Sequence, residues 1–231
     1  MGIKGFQGTS LLDFPGRVAS LVFFGGCNLT CSFCHNPSLV LSADDFPDYP
    51  QEALLEELAE RRGFIDGVVI SGGEPTLAPE LPALLREIKA LGLQVKLDSN
   101  GLAPGVLEAV LAAGLVDYVA LDLKTAPERY GELHSGPVAV SHLLASVRLL
   151  LGGAVDYELR TTCVPGLVAE TEIRALGENV RGARRWRLQQ YVPGHALAEA
   201  ARLVEPYTEE RLRGLAALAR EYVPDVELRG C

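Results

Sequence analysis

Three of the five cysteines lie in one short stretch, at Cys27, Cys31 and Cys34. The preceding residues, 18–24, are almost all apolar and predict a buried strand, and Gly25-Gly26 then predicts a turn. The cysteines are therefore expected on a loop just beyond the carboxyl end of a strand. Thiolates this close in sequence can converge on one small metal centre, and an iron–sulfur cluster requires that convergence.

The number of cysteines in the loop bears on what such a centre could do. Three thiolates leave one iron of a [4Fe–4S] cluster without a protein ligand from this loop, and that iron could bind a substrate or cosubstrate. Four cysteine ligands would favour plain electron transfer. The alternative is a structural zinc site, formed by the same three cysteines with His35 or with a distant cysteine.

A second motif, Gly72-Gly73-Glu74-Pro75, follows the apolar segment 67–71, which predicts a short buried strand. Glycines let the backbone approach a ligand closely and leave N–H and C=O groups free to bind it. Taken alone, such a turn is also a common connection between a strand and a helix. Its position one strand after the cysteine loop favours a shared binding site.

Strand-like and helix-like segments alternate along the rest of the chain. Strands are predicted at 18–24, 67–71, 94–97, 118–121, 156–161, 186–190 and 225–229, and helices at 51–62, 79–91, 104–113, 140–151, 170–180 and 208–221. Residues 1–17 are interpreted as a lead-in and turn, and 38–50 as a polar loop. This alternation predicts βαβ units in an α/β fold, a partial (β/α)6 TIM-like barrel with parallel strands, with a doubly wound sheet as the alternative.

Polar residues follow several of these strands, where the loops of an α/β barrel carry the chemistry. They are Asp98, Asn100, Asp122, Lys124 and Arg160. Carboxylates suit an ammonium group and a cation suits a carboxylate, so the set suits a zwitterionic ligand. The alternatives are that Asp98 and Asn100 cap the following turn, and that Arg160 pairs with Glu158 or another carboxylate.

The remaining cysteines and histidines give weaker signals. Cys163 is expected as a buried apolar residue, the commoner fate of a lone cysteine. The roles open to Cys231 range from a disordered end to a fourth ligand. Three histidines share no ligand spacing and are expected to be structural or exposed: His134, His142 and His195.

Composition limits the function classes. With 231 residues and 48% apolar content, we expect one domain, residues 1–231, with ample material for a core. The net charge of −9 argues against a nucleic-acid surface. The dense basic group is expected to be a solvated helix end and strand start, with a docking patch as the minority interpretation: Arg181, Arg184, Arg185 and Arg187.

The same composition bears on location. No apolar run is long enough to span a bilayer, and the first residues lack the pattern of a signal peptide. Clustered cysteines in such a chain indicate a metal site in a reducing compartment rather than disulfides. We therefore expect a cytoplasmic protein that is not bound to a membrane.

The spacing CxxxCxxC, with Phe33 just before the last cysteine, resembles the signature of the radical S-adenosylmethionine (SAM) superfamily, and Gly72 to Pro75 resembles its GGEP motif. The resemblance implies a [4Fe–4S] cluster held by Cys27, Cys31 and Cys34. It also implies that the open iron chelates SAM, which an electron from the reduced cluster cleaves to a 5′-deoxyadenosyl radical.

The same resemblance implies roles for residues at the strand ends. Asp98 would hold the amino group of SAM, Asp122 the ribose or amino group, and Lys124 the carboxylate, for which Arg160 is a weaker candidate. Phe33 would pack against the adenine side of the site, with core packing as the alternative. The full set of implied SAM contacts is Phe33, Gly72, Gly73, Glu74, Pro75, Asp98, Asn100, Asp122, Lys124 and Arg160.

Longer stretches resemble one branch of the superfamily, the activating proteins of anaerobic ribonucleoside-triphosphate reductase. They are residues 10–16, 34–37, 72–77, 97–101, 120–124, 160–166 and 188–191. The related pyruvate formate-lyase activases usually carry Pro-Tyr-His where this chain has Gln190-Tyr191-Val192, which favours the reductase branch.

The resemblance implies hydrogen abstraction from a backbone glycine of a partner, a glycyl radical enzyme. A low-potential electron donor such as flavodoxin or ferredoxin would supply the electron. Two alternatives stay open. One is a radical SAM enzyme that acts on a small molecule, for example a deazapurine-forming synthase. The other is a non-catalytic zinc-binding or electron-carrying module.

Overall fold

The computed structural model describes residues 2–153 and 155–230. The chain divides into two units, each assembled from separate stretches. The first comprises Met1–Asn28, Ser38–Ser99 and Gly105–Val119, and the second comprises Leu29–Pro37, Asn100–Pro104 and Ala120–Cys231. Cys231, one candidate for a fourth ligand, lies outside the described residues.

The first unit is built on strands β1 to β4. They are β1 (Ile3–Ser10), β2 (Ala19–Phe24), β3 (Gly67–Gly72) and β4 (Gln94–Ser99), and the start of β5 (Tyr118–Asp122) follows. Strands β2, β3 and β4 are parallel, whereas β1 is antiparallel to β2. The accompanying helices are α1 (Pro37–Leu41), α2 (Gln51–Arg61), α3 (Leu81–Ala90) and α4 (Pro104–Ala112).

Strand β1 was not expected from the sequence, which was interpreted there as a lead-in. The strand pairs with β2 from Ile3 opposite Phe24 to Ser10 opposite Ala19. Glycines and polar residues in IKGFQGTS hide the alternation of apolar side chains that normally predicts a strand. The backbone hydrogen bonds to β2 supply the order, so the local pattern was not enough to find it.

Apolar side chains cover both faces of the first unit's sheet. On one face, Phe14, Leu21, Val69 and Tyr118 form a cluster together with Ala19. Helix α3 contributes to the core through Leu81, Leu84, Leu85 and Ile88, whose spacing of three and four residues places them along one buried stripe. The helix ends before Gly92, which has φ of +80° and so provides the expected C-cap.

The second unit contains the parallel strands that follow β5. They are β6 (Asp156–Cys163), β7 (Arg185–Gln190) and β8 (Asp225–Arg229), and its helices are α5 (Val140–Leu151), α6 (Glu170–Val180), α7 (Glu199–Arg202) and α8 (Glu209–Ala219). Its core includes Trp186, which is fully buried and donates from Nε1 to Thr161 Oγ1 at 3.0 Å.

Strand order distinguishes the two folds considered from the sequence. Within each unit the strands follow their order in the chain, β1 to β4 and β5 to β8. A doubly wound sheet requires a reversal of strand order, and the described strands of neither unit contain one. The α/β class with parallel strands is confirmed, and the helices lie within about two residues of their predicted bounds.

The basic group Arg181 to Arg187 is paired rather than free. Arg181 bonds Glu178, and Arg184 bonds Asp156, as a solvated helix end would. Arg187 differs, because it is only 8% exposed and bonds both carboxylate oxygens of Asp225 on β8. The interpretation as a solvated helix end and strand start therefore fits Arg181 and Arg184, which are exposed, but not Arg187, which is buried within β7.

Among the described helices, none is both long and apolar enough to cross a membrane.

Candidate active site

In the first unit, the Gly72-Gly73-Glu74 segment packs directly on the turn that leads to Cys27. Gly73 N donates to Phe24 O at 2.8 Å, and Glu74 N donates to Gly26 O at 2.8 Å. A Cβ added to Gly73 would lie 1.9 Å from Gly26 O. The glycines are therefore required by contact between two backbones, a reason that differs from the ligand approach inferred from the sequence.

Gly72 is constrained in the same way. Its φ is +119°, a region that side chains rarely adopt, and an added Cβ would lie 2.3 Å from Phe24 O. Both motif glycines thus fix the segment against the end of β2, from which the cysteine loop departs.

The Glu74 side chain holds its own segment together. It is 1% exposed, and its Oε1 accepts from Thr76 N at 3.1 Å, from Thr76 Oγ1 at 2.5 Å and from Ser99 Oγ at 3.0 Å. Glu74 therefore caps the 3-10 turn Pro75–Leu77 and ties it to the end of β4. Thr76 and Ser99 lie within the stretches 72–77 and 97–101 that carry the resemblance, but neither was predicted as a site residue, because a lone hydroxyl gives no distinctive signal.

Asp98 lies near the carboxyl end of β4 and is held at both oxygens. Its Oδ1 accepts from Lys96 Nζ, and its Oδ2 accepts from Ser71 Oγ at 3.3 Å. The neighbouring Asn100 belongs to the second unit, where its Oδ1 accepts from Leu102 N at 3.0 Å. The turn-capping alternative is therefore present at Asn100, whereas Asp98 has side-chain partners on β3 and β4.

In the second unit, Asp122 joins the two predicted cations. Its Oδ1 accepts from Arg160 Nε at 2.8 Å, and its Oδ2 accepts from Lys124 Nζ at 2.8 Å. Arg160 thus pairs with Asp122, while Glu158 bonds Arg229 at 3.0 and 2.7 Å. Two cations therefore share the Asp122 carboxylate, and cations of this kind suit an anionic group of a ligand.

These contacts decide the charge state of Asp122. Burial opposes ionisation, but the positive charges of Arg160 and Lys124 outweigh it and hold the pKa of Asp122 below its usual range. Burial also opposes the charge on Lys124, and the Asp122 carboxylate outweighs it, so the pKa of Lys124 is raised. The three groups are therefore charged at neutral pH.

Tyr130 positions Lys124 and was missed from the sequence. It is fully buried in the 3-10 turn Pro127–Leu133, and its hydroxyl oxygen accepts from Lys124 N at 2.9 Å. Burial is the main cause of its raised pKa. The same turn holds the cysteine loop, because Leu133 O accepts from Thr30 N at 3.1 Å.

His134, at the end of this turn, has a structural role. Its Nδ1 lies 3.1 Å from Thr30 Oγ1, within hydrogen-bonding distance. This contact agrees with the structural role expected for His134 from the absence of ligand spacing.

The second unit contains two of the three loop cysteines. Cys34 N donates to Cys31 O at 3.0 Å, which closes a turn between them. Burial raises the pKa of the Cys31 thiol to about 11, and the charge of Lys124 opposes that rise. Thiolates are the form of cysteine that binds metals, and the charge of Lys124 favours the thiolate of Cys31.

The other predicted positions are more ordinary. Phe33 is 4% exposed, which also fits its core-packing alternative. Cys163 is fully buried, as expected for an apolar role.

Over residues 2–153 and 155–230, no group of three or more His, Cys, Asp or Glu side chains is placed to hold a metal ion. Cys27 belongs to the first unit, and Cys31 and Cys34 belong to the second.

A family model and several curated proteins match this chain. The model of the radical SAM superfamily matches residues 21–176. A protein of Methanocaldococcus jannaschii, provisionally named a glycyl-radical enzyme activating enzyme, is 31% identical over 98% of this chain and 95% of its own length. The pyruvate formate-lyase-activating enzyme of Clostridium pasteurianum is 30% identical over 84% of this chain and 82% of its own.

Solved structures show the same fold. The SuiB protein of Streptococcus suis, bound to S-adenosylmethionine, matches 91% of this chain with a TM-score of 0.68 and 17% identity, and the chain spans 52% of that protein. A TYW1 structure with a lysine-pyruvate adduct matches 89% of this chain, with a TM-score of 0.62 and 17% identity over 74% of its own length. Radical SAM structures of this kind have a partial TIM-barrel fold, which confirms the predicted fold class.

Together, the family model and the similarity over nearly the whole chain define the class. The chain belongs to the radical SAM superfamily and, within it, to the glycyl-radical enzyme activating enzymes. It is therefore an enzyme of a family that uses an iron–sulfur cluster and SAM and generates a radical on a partner protein.

Proposed function

We propose that this enzyme generates a glycyl radical on anaerobic ribonucleoside-triphosphate reductase. The choice of partner rests on the carboxyl end of β7, where this chain has Gln190-Tyr191-Val192 and pyruvate formate-lyase activases usually have Pro-Tyr-His. Gln190 Nε2 donates to Tyr207 O at 2.7 Å, and Tyr191 Oη donates to Ala201 O at 2.8 Å. Val192, in the place of the histidine, is 50% exposed and has no polar side-chain atom to bind a ligand.

The proposed cofactor is a [4Fe–4S] cluster held by Cys27, Cys31 and Cys34. The donor set fits it, because three thiols from one loop are soft ligands for iron and leave one iron open. The observation that carries the assignment is the backbone contact of the two motifs, where Glu74 N donates to Gly26 O at 2.8 Å, one residue before Cys27. This contact ties the proposed SAM-binding segment to the start of the proposed cluster loop.

The bound cluster and SAM would supply the radical chemistry. With one electron from a low-potential donor such as flavodoxin or ferredoxin, SAM and a glycine of the partner would give methionine, 5′-deoxyadenosine and a glycyl radical, with the hydrogen atom of the glycine Cα passing to the 5′-deoxyadenosyl group. The protein binds, orients and shields the reactants. Asp98 and the backbone of Gly72 to Pro75 are proposed to hold the SAM amino group, and Asp122 its ribose or amino group. Lys124 and Arg160 are proposed to hold its carboxylate. Phe33 would line the adenine side, and Asn100 would add a polar contact.

The remaining parts of the proposal concern organisation and location. Residues 1–231 are proposed to act as a single radical SAM domain in the cytoplasm. The net charge of −9 supports a protein partner rather than nucleic acid.

The test is anaerobic reconstitution with iron and sulfide, followed by electron paramagnetic resonance of the reduced protein before and after addition of SAM. We expect a [4Fe–4S]⁺ signal that changes with SAM, and a glycyl radical doublet when the reductase is added. Stoichiometric zinc without iron would refute the cluster. Turnover of a small molecule, without a doublet on any glycyl radical enzyme, would refute the protein substrate.

A further inference from the structure

A lysine is buried in the sheet of the first unit. Lys96 lies on β4 with its side chain only 1% exposed, and its neighbour in the parallel register of β3 is Val69. Val69 belongs to the apolar cluster that also contains Leu21 and Tyr118. Lysine is almost never this buried unless its ammonium group is paired.

The partner of Lys96 is Asp98, two residues further along the same strand. Side chains two residues apart on a strand lie on the same face, so the Nζ of Lys96 reaches Asp98 Oδ1. Ser71 Oγ, on β3, donates to the other oxygen at 3.3 Å. Asp98 is the more accessible of the charged pair, with 13% of its side chain exposed.

Asp98 and Lys96 differ in their access to a ligand. Asp98 lies toward the carboxyl end of β4 and retains some access, whereas Lys96 is one layer deeper and hidden. A charge so deeply placed can act on a ligand only through the group that it holds. Lys96 is therefore suited to fix the orientation and the negative charge of Asp98.

We propose that Lys96 is a positioning residue for recognition of the SAM amino group, acting through Asp98. The inference rests on the proposed function, in which the Asp98 carboxylate binds that ammonium group. Without Lys96, the carboxylate would lose a fully buried counter-charge, and this loss favours uptake of a proton or a turn of the side chain toward solvent. Either change removes a charged acceptor from the ammonium group of the ligand.

The test measures binding rather than turnover. The reconstituted protein is titrated anaerobically with S-adenosylhomocysteine, which keeps the amino group and is not cleaved, and with the analogue that lacks the α-amino group. In Lys96→Met we expect the affinity for S-adenosylhomocysteine to fall by about 10- to 100-fold, the loss typical of a hydrogen bond between charged groups. The affinity for the amino-free analogue should change by less than about twofold, because that analogue makes no such bond.

The matched control is Lys89→Met. Lys89 also pairs with an aspartate of the first unit, with its Nζ 2.7 Å from Asp117 Oδ2. Asp117 accepts from Val95 N near the amino end of β4, whereas Asp98 lies near the carboxyl end of that strand. Lys89→Met should leave the preference for S-adenosylhomocysteine over the amino-free analogue unchanged. Ser71→Ala provides a second variant, milder than Lys96→Met, and should reduce the same preference in the same direction.

The outcomes separate the inference from the proposed function. If the wild type prefers the amino-bearing ligand and neither Lys96→Met nor Ser71→Ala reduces that preference, the role of Lys96 is refuted and the SAM site stands. An equal loss for both ligands in Lys96→Met would also refute it, because that pattern reports a general structural defect. If the wild type binds neither ligand, the proposed function fails and this inference fails with it.

Discussion

Gly73→Ala is the sharpest test of how the two motifs are held together. The added Cβ would lie 1.9 Å from Gly26 O and 2.7 Å from its carbonyl carbon. Real Cβ atoms essentially never come closer than 3.0 Å to another atom, so one of the two backbones must move by at least about 1 Å. Neither backbone can yield by rotating a side chain.

The expected cost has two parts. Overpacking of this kind costs about 1–3 kcal/mol. The hydrogen bond from Glu74 N to Gly26 O, now 2.8 Å long, would be stretched or broken, at a further cost of about 1 kcal/mol. We therefore expect the free energy of unfolding of Gly73→Ala to fall by about 2–4 kcal/mol.

The assay is urea denaturation of the cluster-free protein, followed by titration of the reconstituted protein with S-adenosylhomocysteine. A misplacement of 1 Å in a binding segment can cost about 100-fold in function, so we expect binding to weaken strongly. The matched control is Gly105→Ala in helix α4 of the same unit, where an added Cβ meets nothing within 4 Å. Alanine is the better helix former, so this control should gain up to about 1 kcal/mol.

One result would refute the reasoning. If Gly73→Ala unfolds at the same urea concentration as the wild type and binds S-adenosylhomocysteine equally well, the backbone contact does not position the segment. A loss in Gly105→Ala as large as that in Gly73→Ala would show that substitution of any glycine is harmful, and would remove the argument from contact.

Three further predictions concern the second unit. Gly177→Ala should lower the free energy of unfolding by about 1–3 kcal/mol, since the added Cβ would lie 2.4 Å from a tyrosine ring. Gly214 has open space around it, so Gly214→Ala should raise the free energy of unfolding by about 1 kcal/mol. Urea denaturation measures both changes. Cys31→Ser should lower the iron content after reconstitution, whereas Cys163→Ala should retain iron, as measured by metal analysis. Asp122→Asn should destabilise the cluster-free protein at pH 7 by about 2 kcal/mol, because two partly buried cations lose their charged acceptor.

The effect at Asp122 has a definite pH dependence. Its folded-state pKa is lowered, so its ionised form stabilises the fold above the unfolded-state value near 3.8, and that contribution is lost as the pH falls through the folded-state pKa. The stability difference between the wild type and Asp122→Asn should therefore narrow from pH 5 to pH 3. A stability difference that stays constant over this interval would contradict the charge pairing.

The other two predictions have their own contradicting outcomes. Equal changes in stability in Gly177→Ala and Gly214→Ala would contradict the first, and loss of iron in Cys163→Ala would contradict the second.

Much of the architecture follows from local sequence. The helix predicted at 140–151 coincides with α5 (Val140–Leu151), because its apolar residues recur at helical spacing and Gly152 follows it. The predicted helix bounds before Gly92 and Gly114 also hold, since both glycines have positive φ and end their helices. Strand β1 was missed, because its order comes from pairing with β2 rather than from its own pattern.

The sequence alone determined which chemical groups are present and that strand ends carry them, because motif spacing and apolar periodicity are local properties. It identified both glycines of the second motif, Asp122 and the cysteine loop. Only the tertiary structure decided their partners: that Gly73 packs on Gly26, that Arg160 bonds Asp122 rather than Glu158, and that Lys96 lies beneath Asp98. Those contacts join strands distant in the chain or depend on burial, and burial is what gives an ion pair or an added methyl group its energetic weight.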